Sequence, residues 1–320
     1  MLVLLCLPVK LLQIVVEVKE MKPALVAIVA ALMLGCAEQD GNEASEASAS
    51  APEAMPEPAA PVFSGSGYAD LENSIINYSY ERFGGFSLTW ADNKVRWDAM
   101  HGYYEGLQAE IVPQVSKVAE NIYFTSWGTG GSGGDNVVHN FDEMTVHAHL
   151  NPRNLWIPMD TIHGVVHCKD TPDCVRPLDK ILPVETPRET LLLENSARHN
   201  LPPRRQRSLY ITELSEADAA ARAELAGIAI GFETPYGYTR IEVDGVETRV
   251  SEGEEGPVVY PTTATKIADG IYFVSWVGPL GGNHIVINRH SNKVFDHILP
   301  SGERIERIYD LACFGAPTEC

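Results

Sequence analysis

One stretch of this chain occurs twice. Residues 115–127 read Val-Ser-Lys-Val-Ala-Glu-Asn-Ile-Tyr-Phe-Thr-Ser-Trp, and residues 264–276 read Ala-Thr-Lys-Ile-Ala-Asp-Gly-Ile-Tyr-Phe-Val-Ser-Trp. Without a gap, Lys117, Ala119, Ile122, Tyr123, Phe124, Ser126 and Trp127 meet Lys266, Ala268, Ile271, Tyr272, Phe273, Ser275 and Trp276. A match of this length within one chain is an internal duplication, and it restricts the fold to two like units.

The spacing identifies the unit. An alternating segment, then Glu-Asn or Asp-Gly, then Ile-Tyr-Phe-x-Ser-Trp is strand, tight turn, strand. Ile271, Phe273 and Ser275 fall on one face of the second strand, and Tyr272, Val274 and Trp276 on the other. A strand apolar on both faces needs cover on both sides, as in a small barrel. With one residue dropped from the glycine loop the copies stay aligned, so that Asn140 meets Asn288, His149 meets His297 and Pro152 meets Pro300.

Short β-patterned runs fill 74–150 and 228–309, with turn signals at Gly84-Gly85, Asp92-Asn93 and Asp244-Gly245. No strand–helix alternation is present, so a parallel α/β sheet is excluded. One helix is expected, Glu216 to Leu225, with Ser215 and Asp218 as a capping box and Gly227 as its stop. The fold class is mainly all-β: two tandem antiparallel barrel units with a short helix at the start of the second. Their expected bounds are 67–165 and 206–320, joined by a Pro-rich connector, 166–205. Ile162–His167 is a candidate strand across the 165/166 boundary, and Arg204, Arg205 and Arg207 follow as a solvated basic patch.

The first residues read as targeting sequence. Met21-Lys22 followed by the apolar run Ala24–Leu34 is too short to span a bilayer, which takes about 20 residues. It ends Leu-Met-Leu-Gly-Cys36, which resembles a bacterial lipobox, so 1–36 is expected to be a signal with the true start at Met21 and Cys36 lipidated. Ala37, rather than Asp, follows the cysteine, which fits the outer membrane of a Gram-negative envelope. Residues 37–66, rich in Ala, Glu, Ser and Pro, read as a disordered tether. The formal net charge of −19 excludes nucleic acid as a partner.

Outside the cytoplasm disulfides are the default. Cys168, Cys174, Cys313 and Cys320 allow three connectivities, of which Cys168–Cys174 with Cys313–Cys320 closes two small loops.

A unit with Tyr78-x-Tyr80, a Trp97 strand, His101-Gly102, Gly106 and Ile-Tyr-Phe-x-Ser-Trp resembles two related families. One is the MoaF-like family (molybdenum cofactor biosynthesis protein F), itself two units in tandem. The other is the phenolic acid decarboxylases, single lipocalin-like (calycin) barrels. The resemblance covers residues 75–152 closely and 228–302 more loosely, and it implies lipocalin-like barrels. Decarboxylase chemistry would need a Tyr pair, matched by Tyr78 and Tyr80. It would also need an Arg where Ala99 stands, with Arg96 in another register, and a Glu near Lys117. A lysine cannot replace a carboxylate base, its charge being opposite and its ordinary pKa about 10.4. Molybdenum cofactor synthesis is cytoplasmic and does not suit an exported chain. The resemblance therefore carries the fold and not the activity.

The expected function is an envelope-tethered lipoprotein whose barrels bind a small aromatic or apolar ligand through Tyr78, Tyr80, Lys117, Tyr123, Trp127, Lys266, Tyr272 and Trp276. The alternative is a cofactor-free lyase or isomerase using Tyr78, Tyr80, His101 and Lys117, to be favoured if His101 and Tyr80 lie within hydrogen-bond reach in a cavity. No nucleotide, phosphate-loop or nucleophile motif occurs, and no cofactor is expected. A weaker metal alternative is His147 and His149 on one strand with His163 and His167.

Overall fold

The computed structural model describes residues 65–80, 83–130, 133–150, 160–175, 185–200, 215–235, 237–244, 247–253, 256–278, 281–299 and 306–320. Met21, Cys36, the 37–64 part of the tether, Arg204, Arg205 and Arg207 lie outside them. All described residues belong to one compact unit, Ala59–Cys320.

The first half begins with a single helical turn, α1 (Tyr68–Leu71), and then strands follow in antiparallel sequence. These are β1 (Ile75–Tyr80), β2 (Gly84–Ala91), β3 (Lys94–Gly102), β4 (Gln108–Ile111), β5 (Gln114–Ala119), β6 (Ile122–Gly130), β7 (Gly133–Asn140), β8 (Thr145–Leu150) and β9 (Asp160–Lys169). The β2–β3 turn is the Asp92-Asn93 pair, with φ of 53° and 59°, the left-handed pairing that a two-residue hairpin turn requires. Helix α2 (Arg188–Arg198) follows in the connector.

The second half opens with α3 (Glu216–Leu225). As expected, the Ser215 side chain accepts the Asp218 amide at 3.0 Å, and Gly227 takes φ +72° after the helix ends. Its strands are β10 (Ile228–Thr234), β11 (Gly237–Asp244), β12 (Glu247–Glu252), β13 (Val258–Ala268), β14 (Ile271–Gly278), β15 (Gly281–Asn288), β16 (Lys293–Leu299) and β17 (Arg307–Gly315).

β10 to β17 form a closed eight-stranded barrel. The first half is a curled half-barrel, a nine-stranded sheet with β4 at one edge and β5 at the other. These edges are consecutive in the chain, separated only by Val112 and Pro113. In the second half the same stretch is the single strand β13, whose first part pairs with β12 and second part with β14. Val112-Pro113 interrupts the strand where it changes partners, proline having no N–H to give a ladder, whereas β13 passes the same point unbroken with Pro261 one position earlier. The connector also contributes more than expected. β9 runs past residue 165 to Lys169 and pairs with both β1 and β8, completing the first sheet.

The duplication extends to details. β1 and β10 carry a bulge at matching registers, so Asn77 faces Cys168 as Gly231 faces Cys313. Both cysteines bond to a partner just beyond the final strand of their unit, Cys168–Cys174 and Cys313–Cys320.

The two apolar faces of the duplicated strand find different cover. Tyr123, Trp127, Tyr272, Val274 and Trp276 belong to the interior clusters of their own units. Ile122, Phe124, Ile271 and Phe273 instead join Val118, Val138, Ile267, Val286 and Phe295 in a third cluster where the halves meet. The second layer of cover is thus the sister unit.

Candidate functional site

The interior of the first unit holds a cavity of about 50 Å³. Its walls are aromatic: Tyr78 and Tyr80 from β1, Phe83, Phe86 from β2, Trp97 from β3, Tyr104 and Trp127 from β6. Val137, Ala148, Leu150 and Ile162 complete the apolar lining, and Asp135 with Arg188 of α2 supply charge. The rings pack edge to face and stacked, Tyr78 to Tyr80 at 5.2 Å, Tyr78 to Phe86 at 5.4 Å and Phe86 to Trp97 at 6.3 Å.

Several hydrogen-bond donors on this wall are unmatched. The Tyr80 hydroxyl and the indole N–H groups of Trp97 and Trp127 are buried without a partner. Tyr80 lies beside Tyr78, and the approach of the two hydroxyls raises the Tyr80 pKa and opposes the rise at Tyr78 without reaching the distance and angle of a hydrogen bond. Burial, followed by the neighbouring phenol and the Asp135 charge, pushes the Tyr80 pKa well above its ordinary value, and burial with Asp135 raises Tyr78. Both phenols therefore stay protonated at physiological pH and act as donors, not bases.

α2 borders the same end of the unit. Asn195 donates to the carbonyls of Tyr103 at 3.2 Å and Glu105 at 2.9 Å. Glu105 in turn accepts from Arg198 at 3.1 Å and His199 at 2.6 Å. The connector helix is thereby fixed on the Tyr103–Leu107 turn, with Leu192 packed on Tyr103 and Leu107.

The second barrel departs from the first at matching registers. Where the first has Tyr78, Phe86, Trp97, Ala148 and Ile162, the second has Phe232, Thr239, Val250, Asp296 and Arg307. Aliphatic side chains such as Ile230, Ile241, Val274 and Ile285 fill much of its core. Asp296 points to Arg307 at 3.8 Å, and burial raises its pKa to about 7 despite that charge.

Of the expected site residues, Tyr78, Tyr80 and Trp127 line the cavity. Lys117 and Lys266 do not, and the structure gives them another role. Lys117 donates to Asp70 of α1 at 2.8 Å, and Tyr123 donates to the same carboxylate oxygen at 3.1 Å. Lys266 and Tyr272 hold Glu224 of α3 similarly, Lys266 donating to Oε1 and Tyr272 to Oε2, both at 2.6 Å. Each repeated Lys–Tyr pair anchors the carboxylate of the helix that precedes its sheet. Trp276 lies in the core of the second barrel.

His101 is exposed, its ring lying over Gly85, where an added Cβ would come within 2.4 Å of Nε2. His101 is not among the residues that line the cavity with Tyr80. Nor do the four metal-candidate histidines converge. His147 meets His163, Nδ1 to Nδ1 at 2.8 Å, while His149 enters the interface between the units and His167 bonds Ser79 at 2.6 Å. Among the described residues no group of three or more His, Cys, Asp or Glu side chains is placed to hold a metal ion.

Sequence reasoning missed Phe83, Phe86, Trp97, Tyr104, Asp135 and Arg188. Alternation along β2 and β7 carries a signal for Phe86, Asp135 and Val137, whereas Arg188 comes from a helix that the connector's prolines conceal. No described helix is long and apolar enough to cross a membrane.

No family model matches the chain, and no curated protein matches it. Among solved structures, one described as a candidate beta-lactamase from Burkholderia vietnamiensis aligns with a TM-score of 0.28 and 13% identity, over 30% of this chain and 93% of that one.

Proposed function

We propose that the first unit is a binding module for a small aromatic or apolar molecule carrying hydrogen-bond acceptors, and that the second is chiefly its structural partner. The observation that carries this reading is the set of buried, unmatched donors on the cavity wall, Tyr80, Trp97 and Trp127. A buried donor without an acceptor costs about 1–3 kcal/mol, and a ligand acceptor would recover that cost. The volume limits the guest. At about 50 Å³ it is well below the ~150 Å³ of an engineered cavity that takes up benzene, so a ring enters only with adjustment of a lining side chain.

The lipobox at Cys36 and the Ala/Glu/Ser/Pro segment after it favour a module held at the outer membrane by a lipid anchor and tether. The MoaF-like resemblance supports a lipocalin-like origin for both units. The test is native mass spectrometry of protein purified from its own envelope fraction, followed by thermal shifts with a panel of single-ring aromatics. Co-purification of a small molecule, or a shift with a panel member, is expected. Neither appearing would overturn the binding reading.

A further inference from the structure

Where the two units meet, hydrogen bonds across and beside the interface form an ordered chain. The Asn136 amide donates to His284 Nε2 at 2.9 Å, and His284 Nδ1 lies 2.9 Å from Ser275 Oγ. Ser275 Oγ lies 2.8 Å from His149 Nδ1, His149 Nε2 lies 2.9 Å from Thr265 Oγ1, and Thr265 donates to Asp218. Only one direction satisfies every group. The Thr265 hydroxyl is committed to the carboxylate, so His149 donates from Nε2 and accepts Ser275 at Nδ1, and Ser275 accepts from His284 Nδ1. Both imidazoles are therefore neutral, each with one nitrogen donating and one accepting. On the sister side His297 sits between Ser126 at 2.8 Å and Ser116 at 2.9 Å, stacked on Phe124 at 3.7 Å.

We infer that this interface is an acid-sensitive clasp, which holds the two units together while His149, His284 and His297 are neutral and releases them as these side chains take up protons. A proton on His284 Nε2 would face the Asn136 amide donor, and a proton on His149 Nδ1 would displace the Ser275 donor. All three imidazoles are fully buried. Among the described residues, Asp218 from α3, His147 from β8 and His163 from β9 act on His149, and His284 acts on His149 and His297. β5, β6, β13 and β14 present the hydroxyls of Ser116, Ser126, Thr265 and Ser275.

Burial lowers the pKa of all three, His284 to about 3. The Asp218 charge opposes this at His149, while the neighbouring His284 adds to it at His149 and His297. The sign follows. The closed form binds fewer protons than the open one, so closure is favoured above the ordinary histidine value of 6.5 and weakens as pH falls towards the lowered values. Asp218 links the cluster to the outside. It also accepts from Thr161 and from the partly exposed His163, both at 2.9 Å, so one carboxylate of the second unit binds groups of both halves.

The test is hydrogen exchange by mass spectrometry on the full chain from pH 7.5 to 4.5, corrected for the intrinsic pH dependence. Opening of β5, β6, β13 and β14 is expected to rise by up to about tenfold per pH unit for each proton taken up, while β2 and β3 keep their protection. His284→Asn, which installs the residue found at matching position 136, is expected to remove one proton's worth of that dependence. If it does not fold, His297→Gln gives the same reading. Protection that is independent of pH, loss of protection in all strands together, or a variant with undiminished dependence would overturn the inference.

Discussion

His297 of the second barrel lies flat on Phe124 of the first unit, 3.7 Å between ring centroids and 13° between planes. His149 lies on Phe273 with the units exchanged, at 3.7 Å and 4°. The two phenylalanines meet between them at 5.3 Å. Reciprocal bonds frame this centre, Asn140 donating to the Ile267 carbonyl at 3.1 Å and Asn288 to that of Val118 at 2.8 Å. The interface has the form of a symmetric dimer contact made within one chain.

Because Phe124 and Phe273 touch, their losses are not independent. Phe124→Ala and Phe273→Ala should each cost about 3–5 kcal/mol in urea unfolding. The double variant should lose less than the sum, with a coupling of at least about 0.5 kcal/mol. Strict additivity would show that the ring contact is incidental.

Tyr80→Phe separates binding from stability. Replacing a buried, hydrogen-bonded tyrosine normally costs about 1 kcal/mol, but this hydroxyl has no partner. Thermal melting of the ligand-free variant should match or exceed the parent, while binding of any ligand that shifts the parent should weaken about tenfold. A clear loss of stability in the free variant would mean that the hydroxyl is already satisfied.

His139 lies inside the first unit with both ring nitrogens unpartnered, and the register places Ile287 at the matching position of the second. His139→Ile should therefore stabilise the protein by about 1–3 kcal/mol at neutral pH. Burial, then His147, lowers the His139 pKa from 6.5 to about 3, so the parent loses stability as pH falls through that interval. The variant should show a flatter acid limb in denaturant titrations at pH 7, 5.5 and 4.5. An unchanged limb would count against a neutral buried imidazole.

Tyr272 holds Glu224 at 2.6 Å, whereas Tyr123 holds Asp70 at 3.1 Å. Tyr272→Phe should lower the melting temperature more than Tyr123→Phe, the larger loss being about 1 kcal/mol. Equal losses would indicate that ring burial, not the bond to the helix carboxylate, decides both.

Each disulfide closes a short loop, for which chain-entropy reasoning gives about 2 kcal/mol. Cys168→Ala/Cys174→Ala and Cys313→Ala/Cys320→Ala should each destabilise by that order, and a reductant should lower the parent's melting temperature without affecting a variant lacking all four. Insensitivity of the parent to reductant would exclude a stabilising role.

Much of the framework was legible because it is local. The repeated strand–turn–strand, the Asp92-Asn93 turn and the Ser215 cap are each decided within a few residues. The two-sided apolar strand announced a second layer of cover, but Phe124 and Phe273 carry no mark that says the layer is the sister unit. The role of Lys117 and Lys266 was hidden for a similar reason. Their partners, Asp70 and Glu224, precede them by more than forty positions (47 and 42) and face them only once the helix docks. Arg188 and α2 were obscured by the Pro-rich composition around them. The break at Val112-Pro113 was readable only as a proline, since Pro261, which matches Val112 one residue earlier, lies within an unbroken strand.

Joining both halves of a dimer-like contact in one chain has a further consequence. In an association of identical copies, every substitution is made on both sides of the axis at once, so a change useful on one side must be tolerated on the other. Here the facing pair His147 and His163 is matched in the second unit by Phe295 and Ile308, and Ala148 and Ile162 by Asp296 and Arg307. Covalent linkage lets paired positions change separately, so that one barrel can fill and brace while the other stays partly hollow.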